Sequence, residues 1–192
     1  MIPCLMLLLL AQDVYLTPDS YFVSPGERVR VVVEGGEPMA KLTDPSMYTS
    51  TGAYNMLNLR REEGTIVVFA AIKGPGTPVL AIRTADGGAK ALVLSADHPD
   101  EAFQRRVGHV LEIVPEVNPY SVKVGAAVPV VVLLHGKAVS GVAVRGGRDA
   151  AMPQIGSTDG AGRVVVPLTG AGKWRVSATD RGLSATLTFE VR

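Results

Sequence analysis

A chain of 192 residues accommodates one large or two small domains, and 19 Lys and Arg against 18 Asp and Glu leave a formal net charge of +1. That balance excludes the basic footprint of a nucleic-acid binder, and no run of like charge marks a polyanion or lipid surface. One cysteine, Cys4, excludes an intrachain disulfide and a paired-cysteine metal knuckle.

Residues 1–11, MIPCLMLLLLA, are an apolar run. It falls short of the roughly 20 residues that span a bilayer as a helix and has the length of a signal-peptide core. Four consecutive leucines without alternation argue against a first strand. Leu9-Leu10-Ala11 offers a cleavage site, and Cys4 lies too early in the run for lipidation. The expectation is an exported protein, periplasmic or secreted, whose mature chain starts at Gln12 and has no direct membrane span.

From Gln12 to Ala96 the pattern is short strands and tight turns. Val14–Leu16 and Tyr21–Val23 read as strands, and Pro25-Gly26 supplies a type II turn. Val29, Val31 and Val33 alternate with Arg28, Arg30 and Glu34, which predicts a strand with one buried face. Met39–Asn58 is irregular, strand plus loop. Thr65–Ile72 and Val79–Thr84 follow as strands, and Asp86-Gly87-Gly88 reads as a hairpin turn before a strand at Lys90–Leu94.

Asp97–Gly108, DHPDEAFQRRVG, predicts a helix. Asp97 or His98 caps it, Asp100 and Glu101 face the positive end of its dipole, and Arg105 and Arg106 the negative end.

From His109 to Arg192 the strand pattern resumes. Leu111–Val114 is followed by an extended piece at Tyr120–Val124, a strand at Val128–Leu134, a His-Gly-Lys turn and a strand at Val142–Val144. Arg145–Pro153 reads as a Gly-rich loop. Asp159-Gly160-Ala161-Gly162 and Gly170-Ala171-Gly172 turn into strands at Val164–Leu168 and Lys173–Thr179. In the last strand Ala185, Leu187, Phe189 and Val191 alternate with Ser184, Thr186, Thr188 and Glu190, as expected of an antiparallel strand with one wet face.

The expected fold is all-β: two antiparallel Ig-like β-sandwich units, 12–96 and 109–192, joined by a short helical connector at 97–108, with 1–11 a signal peptide. No nucleophile elbow, zinc-protease motif or phosphate loop is present, so the chain reads as a non-enzyme. Tyr15, Tyr21, Tyr48, Tyr54 and Tyr120 are available to line a sugar- or peptide-binding face, although Tyr120 is expected to pack at the junction with its hydroxyl on a backbone group. His98, His109 and His135 are scattered.

Three stretches carry a family likeness: AQDVYLTPDSYFVSPGERVRV, LEIVPEVNPYSVKVG with PVVVLLHGKAVSGVAV, and STDGAGRVVVPLTGAGKWRVSAT. They resemble the bacterial exported domain family of unknown function that includes the periplasmic accessory subunit of nickel and cobalt transporters. The third is also similar to carboxypeptidase-regulatory-like and Ig-like sandwich modules. The first likeness implies a non-catalytic binding or accessory protein of the cell envelope, with nickel or cobalt as its metal and a membrane transporter or envelope protein as partner. The metal-ligating candidates are Gln12, Asp13 and His135. Where the family presents an imidazole after signal cleavage this chain has Gln12, a poor ligand for Ni(II) or Cu(II). The second likeness implies a structural or adhesive module that binds carbohydrate or a protein partner.

Overall fold

The computed structural model describes residues 13–35, 41–149 and 151–192. The expected signal peptide and Gln12 lie outside the described residues. Eighteen strands are named within them: β1 (Tyr15–Pro18), β2 (Phe22–Val23), β3 (Arg28–Glu34), β4 (Thr43–Tyr48), β5 (Ala53–Asn55), β6 (Leu57–Glu62), β7 (Thr65–Ala71), β8 (Val79–Thr84), β9 (Gly87–Leu92), β10 (Leu94–Ser95), β11 (Leu111–Pro115), β12 (Ala127–Leu134), β13 (Lys137–Ala138), β14 (Ala143–Arg148), β15 (Gln154–Ser157), β16 (Arg163–Pro167), β17 (Gly172–Asp180) and β18 (Leu183–Val191). The protein is all-β, as the sequence predicts.

Three layers organise these strands, apart from β2 and β10, which pair in parallel as a two-stranded sheet. One outer sheet has the order β1-β3-β7-β6, the other is built on β12 with β11, β13 and β16, and between them runs an eight-stranded sheet, β15-β14-β17-β18-β9-β8-β4-β5. Strand periodicity sends alternate side chains to opposite faces, and β8 shows the result. Leu80 and Ile82 join a core with Leu16, Val31 and Val68 of the first outer sheet and with Val14 just before it. Val79 and Ala81 join a second core with Ile113, Val130, Val166, Trp174 and Phe189. The central sheet therefore has a dry interior on both sides.

The expected boundary between two sandwich units is crossed by this sheet. β18, near the end of the chain, pairs in parallel with β9, from Ser184 opposite Gly87 to Thr188 opposite Ala91. Local patterning cannot announce a parallel contact between strands some hundred residues apart. Its trace is in Gly87 and Gly88, for which the sequence predicts a hairpin turn. Gly87 and Gly88 instead open β9, and a Cβ on Gly87 would lie 1.8 Å from the Ser184 carbonyl oxygen. Gly87 is small so that β18 can approach, and Gly88 so that the His109 imidazole can lie against it.

The final strand also lacks a wet face. Thr186 and Thr188 are buried, and their hydroxyls donate to the carbonyls of Val14 at 2.5 Å and Leu16 at 2.6 Å. β1 is the edge of its sheet, so its outward carbonyls need partners once covered. The threonines of β18 supply them. Ser184 adds a bond to the Asp13 carboxylate, and Arg175 reaches Glu34 at 2.6 Å.

The helical connector is corrected. Within 97–108 the structure has one 3-10 turn, Glu101–Gln104, capped by Asp100, and extended chain after it. The cause lies downstream: the Glu112 carboxylate accepts the backbone N–H groups of Val107 at 2.8 Å and Gly108 at 3.2 Å, donors that a continuing helix would turn back on itself. Two smaller expectations also change. Pro119–Ser121 is a 3-10 turn where extended chain was expected, and the strand β14 continues through Gly146 and Gly147 to Arg148. There a Cβ on Gly147 would sit 1.9 Å from the Ala151 carbonyl oxygen, so the glycines admit the returning chain that forms β15.

Candidate functional site

A surface cleft of about 510 Å³ lies at the end of the central sheet, between the β4–β5 turn, the chain from Ile72 to Pro78, and His98 with Asp100. Each wall is built by local chemistry. The Thr49 hydroxyl accepts the N–H groups of Thr51 and Gly52, closing the turn on itself. Arg105 then clamps the turn from the connector, donating to the Thr49 carbonyl at 2.9 Å and the Ser50 carbonyl at 2.7 Å.

The floor is a buried polar knot. Asp100 Oδ1 accepts from Thr77 N at 2.8 Å and Ala102 N at 3.1 Å, while Asn118 Nδ2 donates to Thr77 Oγ1 at 2.9 Å and to the Asp100 carbonyl at 3.1 Å. Gly76 lies against this carboxylate with φ +129°, and a Cβ there would come within 2.6 Å of Asp100 Oδ2. With that packing the cleft is a preformed concavity, the usual condition for a small-ligand site.

Tyr54 stands on the rim, 44% exposed, with the Lys73 ammonium 5.9 Å from its ring centroid. The other tyrosines do not join it. Tyr21 is buried, and its hydroxyl is pushed up to about 12 chiefly by that burial. Tyr15 is raised to about 12 by burial and then by the charge of Asp13, to which its hydroxyl donates at 3.1 Å. Tyr120 donates to the Leu92 carbonyl at 2.6 Å and meets Phe22 edge-on, which is the junction role expected of it. Tyr48 is half-buried and packs against the second core, so of the five tyrosines Tyr54 is the one exposed at the cleft. A sequence reading had no means of choosing among five tyrosines; strand burial makes the choice.

The metal candidates are placed apart from the cleft. Asp13 is engaged by Tyr15 and Ser184 before β1. His135 is exposed in the turn between β12 and β13, with φ +49°. Among the described residues no group of three His, Cys, Asp or Glu side chains is arranged to hold a metal ion. His98 is exposed and lines the cleft. His109 is buried elsewhere, its imidazole against Gly88.

The fold and cleft define a layered all-β protein with a preformed, hydroxyl-rich depression at one sheet end. Residues 88–182 match the model of a family described as "Domain of unknown function (DUF4198)", just under half of the chain. The match spans the second and third of the stretches that carry the sequence likeness and leaves out the N-terminal one. No curated protein matches the chain. Among solved structures it is similar to the I9–I11 tandem of titin, at 9% identity and TM-score 0.32 over 94% of this chain and 66% of that one. It is similar to the Yersinia pseudotuberculosis adhesin InvE, at 10% identity and TM-score 0.30 over 95% and 59%. It is also similar to the Bacteroides ovatus mixed-linkage glucan utilization locus protein SGBP-B, solved with a mixed-linkage heptasaccharide, at 13% identity and TM-score 0.31 over 95% and 46%. The chain spans less than two thirds of the length of each. At these values none of the likenesses bears on ligand or activity. No helix among the described residues is long and apolar enough to cross a membrane.

Proposed function

We propose that the protein is a non-catalytic, exported carbohydrate-binding module of the cell envelope, with the cleft beside Tyr54 as its glycan site. The observation that carries this reading is the pairing of one exposed aromatic ring with hydroxyl and backbone groups of a clamped turn over a preformed concavity. Sugars are held by that combination, an aromatic face for the C–H side of a pyranose ring and fixed polar groups for its hydroxyls.

Catalysis is disfavoured by the carboxylates. Glycoside hydrolysis ordinarily uses two, flanking the scissile bond. Among the described residues the cleft is lined by one, Asp100, and its Oδ1 is occupied by two backbone N–H groups. The transition-metal role rests on the sequence resemblance alone. The export reading rests on residues 1–11.

The test is a glycan array probed with the purified chain, followed by calorimetry on any ligand retained. Tyr54→Ala is expected to weaken binding by roughly ten-fold or more, since stacking on a ring is worth about 1–3 kcal/mol in other systems. Retained glycan is expected to be recovered uncleaved. An empty array, or release of new reducing ends from a bound glycan, would overturn the reading.

A further inference from the structure

On the far side of Tyr54 lies a second depression, of about 390 Å³, lined by Met47, Ala53, Asn55, Met56, Ala70 and Lys73 among others. Met47, Tyr54 and Lys73 line both hollows, so the two form one groove with a waist at Tyr54 and Lys73. A groove with a waist suits a linear ligand whose successive units fall on either side.

The charge at the waist is unbalanced. Lys73 is exposed, and among the described residues its ammonium has the Tyr54 ring as its neighbour and no ion-pair partner. Among the described residues no carboxylate lines the second hollow, and that of Asp100 in the first is drawn toward backbone N–H groups. The floor of the second hollow is apolar, with Met47, Met56 and Ala70 buried in the core beneath it.

We infer that the groove selects acidic glycans: a linear oligosaccharide of uronic-acid units, one carboxylate pairing with Lys73 while the adjoining ring stacks on Tyr54. The inference rests on the carbohydrate-binding reading and narrows it to a substrate class. At the centre of a groove, a lysine that has no ion-pair partner among the described residues gives an anion a partner without breaking an existing pair. A neutral glycan would leave that ammonium to water.

The experiment compares an oligogalacturonate with its carboxyl-reduced neutral counterpart, of equal length and linkage, by calorimetry on the full chain. The acidic form is expected to bind roughly five- to ten-fold tighter at about 20 mM salt, with the advantage shrinking toward about 500 mM. Lys73→Gln is expected to erase the difference between the two sugars. Equal binding of the two sugars, a preference that survives Lys73→Gln, or equal binding of a short poly-glutamate, which would mark charge without sugar recognition, overturns the inference alone. Binding of neither sugar overturns the carbohydrate reading with it.

Discussion

Lys90 Nζ lies 3.0 Å from Glu112 Oε1, with both side chains at 2% exposure or less, and the pair ties the central sheet to the first strand of an outer one. β9 carries the lysine and β11 the glutamate. Burial pushes the Lys90 ammonium below its ordinary value, and the Glu112 charge opposes that shift. Glu112 serves a second purpose, since its oxygens also hold Val107 N and Gly108 N. One carboxylate thereby fixes the connector and anchors the lysine.

The pair is expected to be costly to break from one side. Lys90→Met leaves a buried carboxylate without its counter-charge, for a loss of about 3–5 kcal/mol in chemical denaturation. Buried ion pairs can often be replaced by apolar pairs at little cost. Here Lys90→Met with Glu112→Leu is expected to recover only part of the loss, because the double variant also strips Val107 and Gly108 of their acceptor. Full recovery would show that those two bonds contribute nothing.

His109 makes the same region sensitive to acid. Its imidazole sits against Gly88, and burial pulls it down to about 4; Lys90 and Arg83 lower it further, while Glu112 works the other way. An unfolded histidine titrates near 6.5, so the unfolded chain takes up the proton first. The neutral, buried form therefore holds its full stability above pH about 6.5 and loses it progressively as pH falls toward 4, by about 3 kcal/mol. His109→Gln is expected to flatten that slope in urea midpoints taken between pH 7 and 4. An unchanged slope would place the acid sensitivity elsewhere.

Much of the strand content was legible because burial follows period two. The alternation at Val29, Val31 and Val33 is the alternation of β3, with arginines outward. The layering was not legible, and β18 shows why. Thr186 and Thr188 carry the same polar signature whether a hydroxyl meets water or a carbonyl of β1. Gly87 and Gly88 carry the same signature whether they turn a hairpin or clear space, Gly87 for a strand and Gly88 for the His109 ring. Residue type reports that a group needs a partner or room; which partner is a property of distant chain. The cleft was hidden for a related reason, because Met39–Asn58 has no period and Tyr54 looks like any other tyrosine until β4 and β5 place it at a sheet edge.

The threonine contacts yield their own prediction. Thr188→Val keeps the shape of the side chain and removes its hydroxyl from the Leu16 carbonyl, which then lies buried at the β1 edge without that donor. The expected loss is about 1–3 kcal/mol. Thr179→Val, near the outer end of β17, is expected to stay within about 0.5 kcal/mol, since Thr179 is exposed and substitutions of that kind are usually small. Equal effects at the two positions would mean that the hydroxyl bonds to β1 are not what holds that layer.

A shared central sheet also has a consequence for cooperativity. Leu16 and Trp174 belong to different cores, on opposite faces of the eight-stranded sheet. The chain has one tryptophan, fully within the second core and bonded through Nε1 to the Gly170 carbonyl at 3.0 Å, so its fluorescence reports that core alone. Leu16→Ala empties space in the other core, at an expected cost of about 2–5 kcal/mol. If each half closed on itself, that substitution would leave the Trp174 transition where it was. Because β9 and β18 are neighbours in one sheet, the fluorescence midpoint is expected to move by the same amount as the circular-dichroism midpoint, with coincident curves. A Trp174 transition that stays fixed while the rest of the chain unfolds earlier would separate the layers into independent domains.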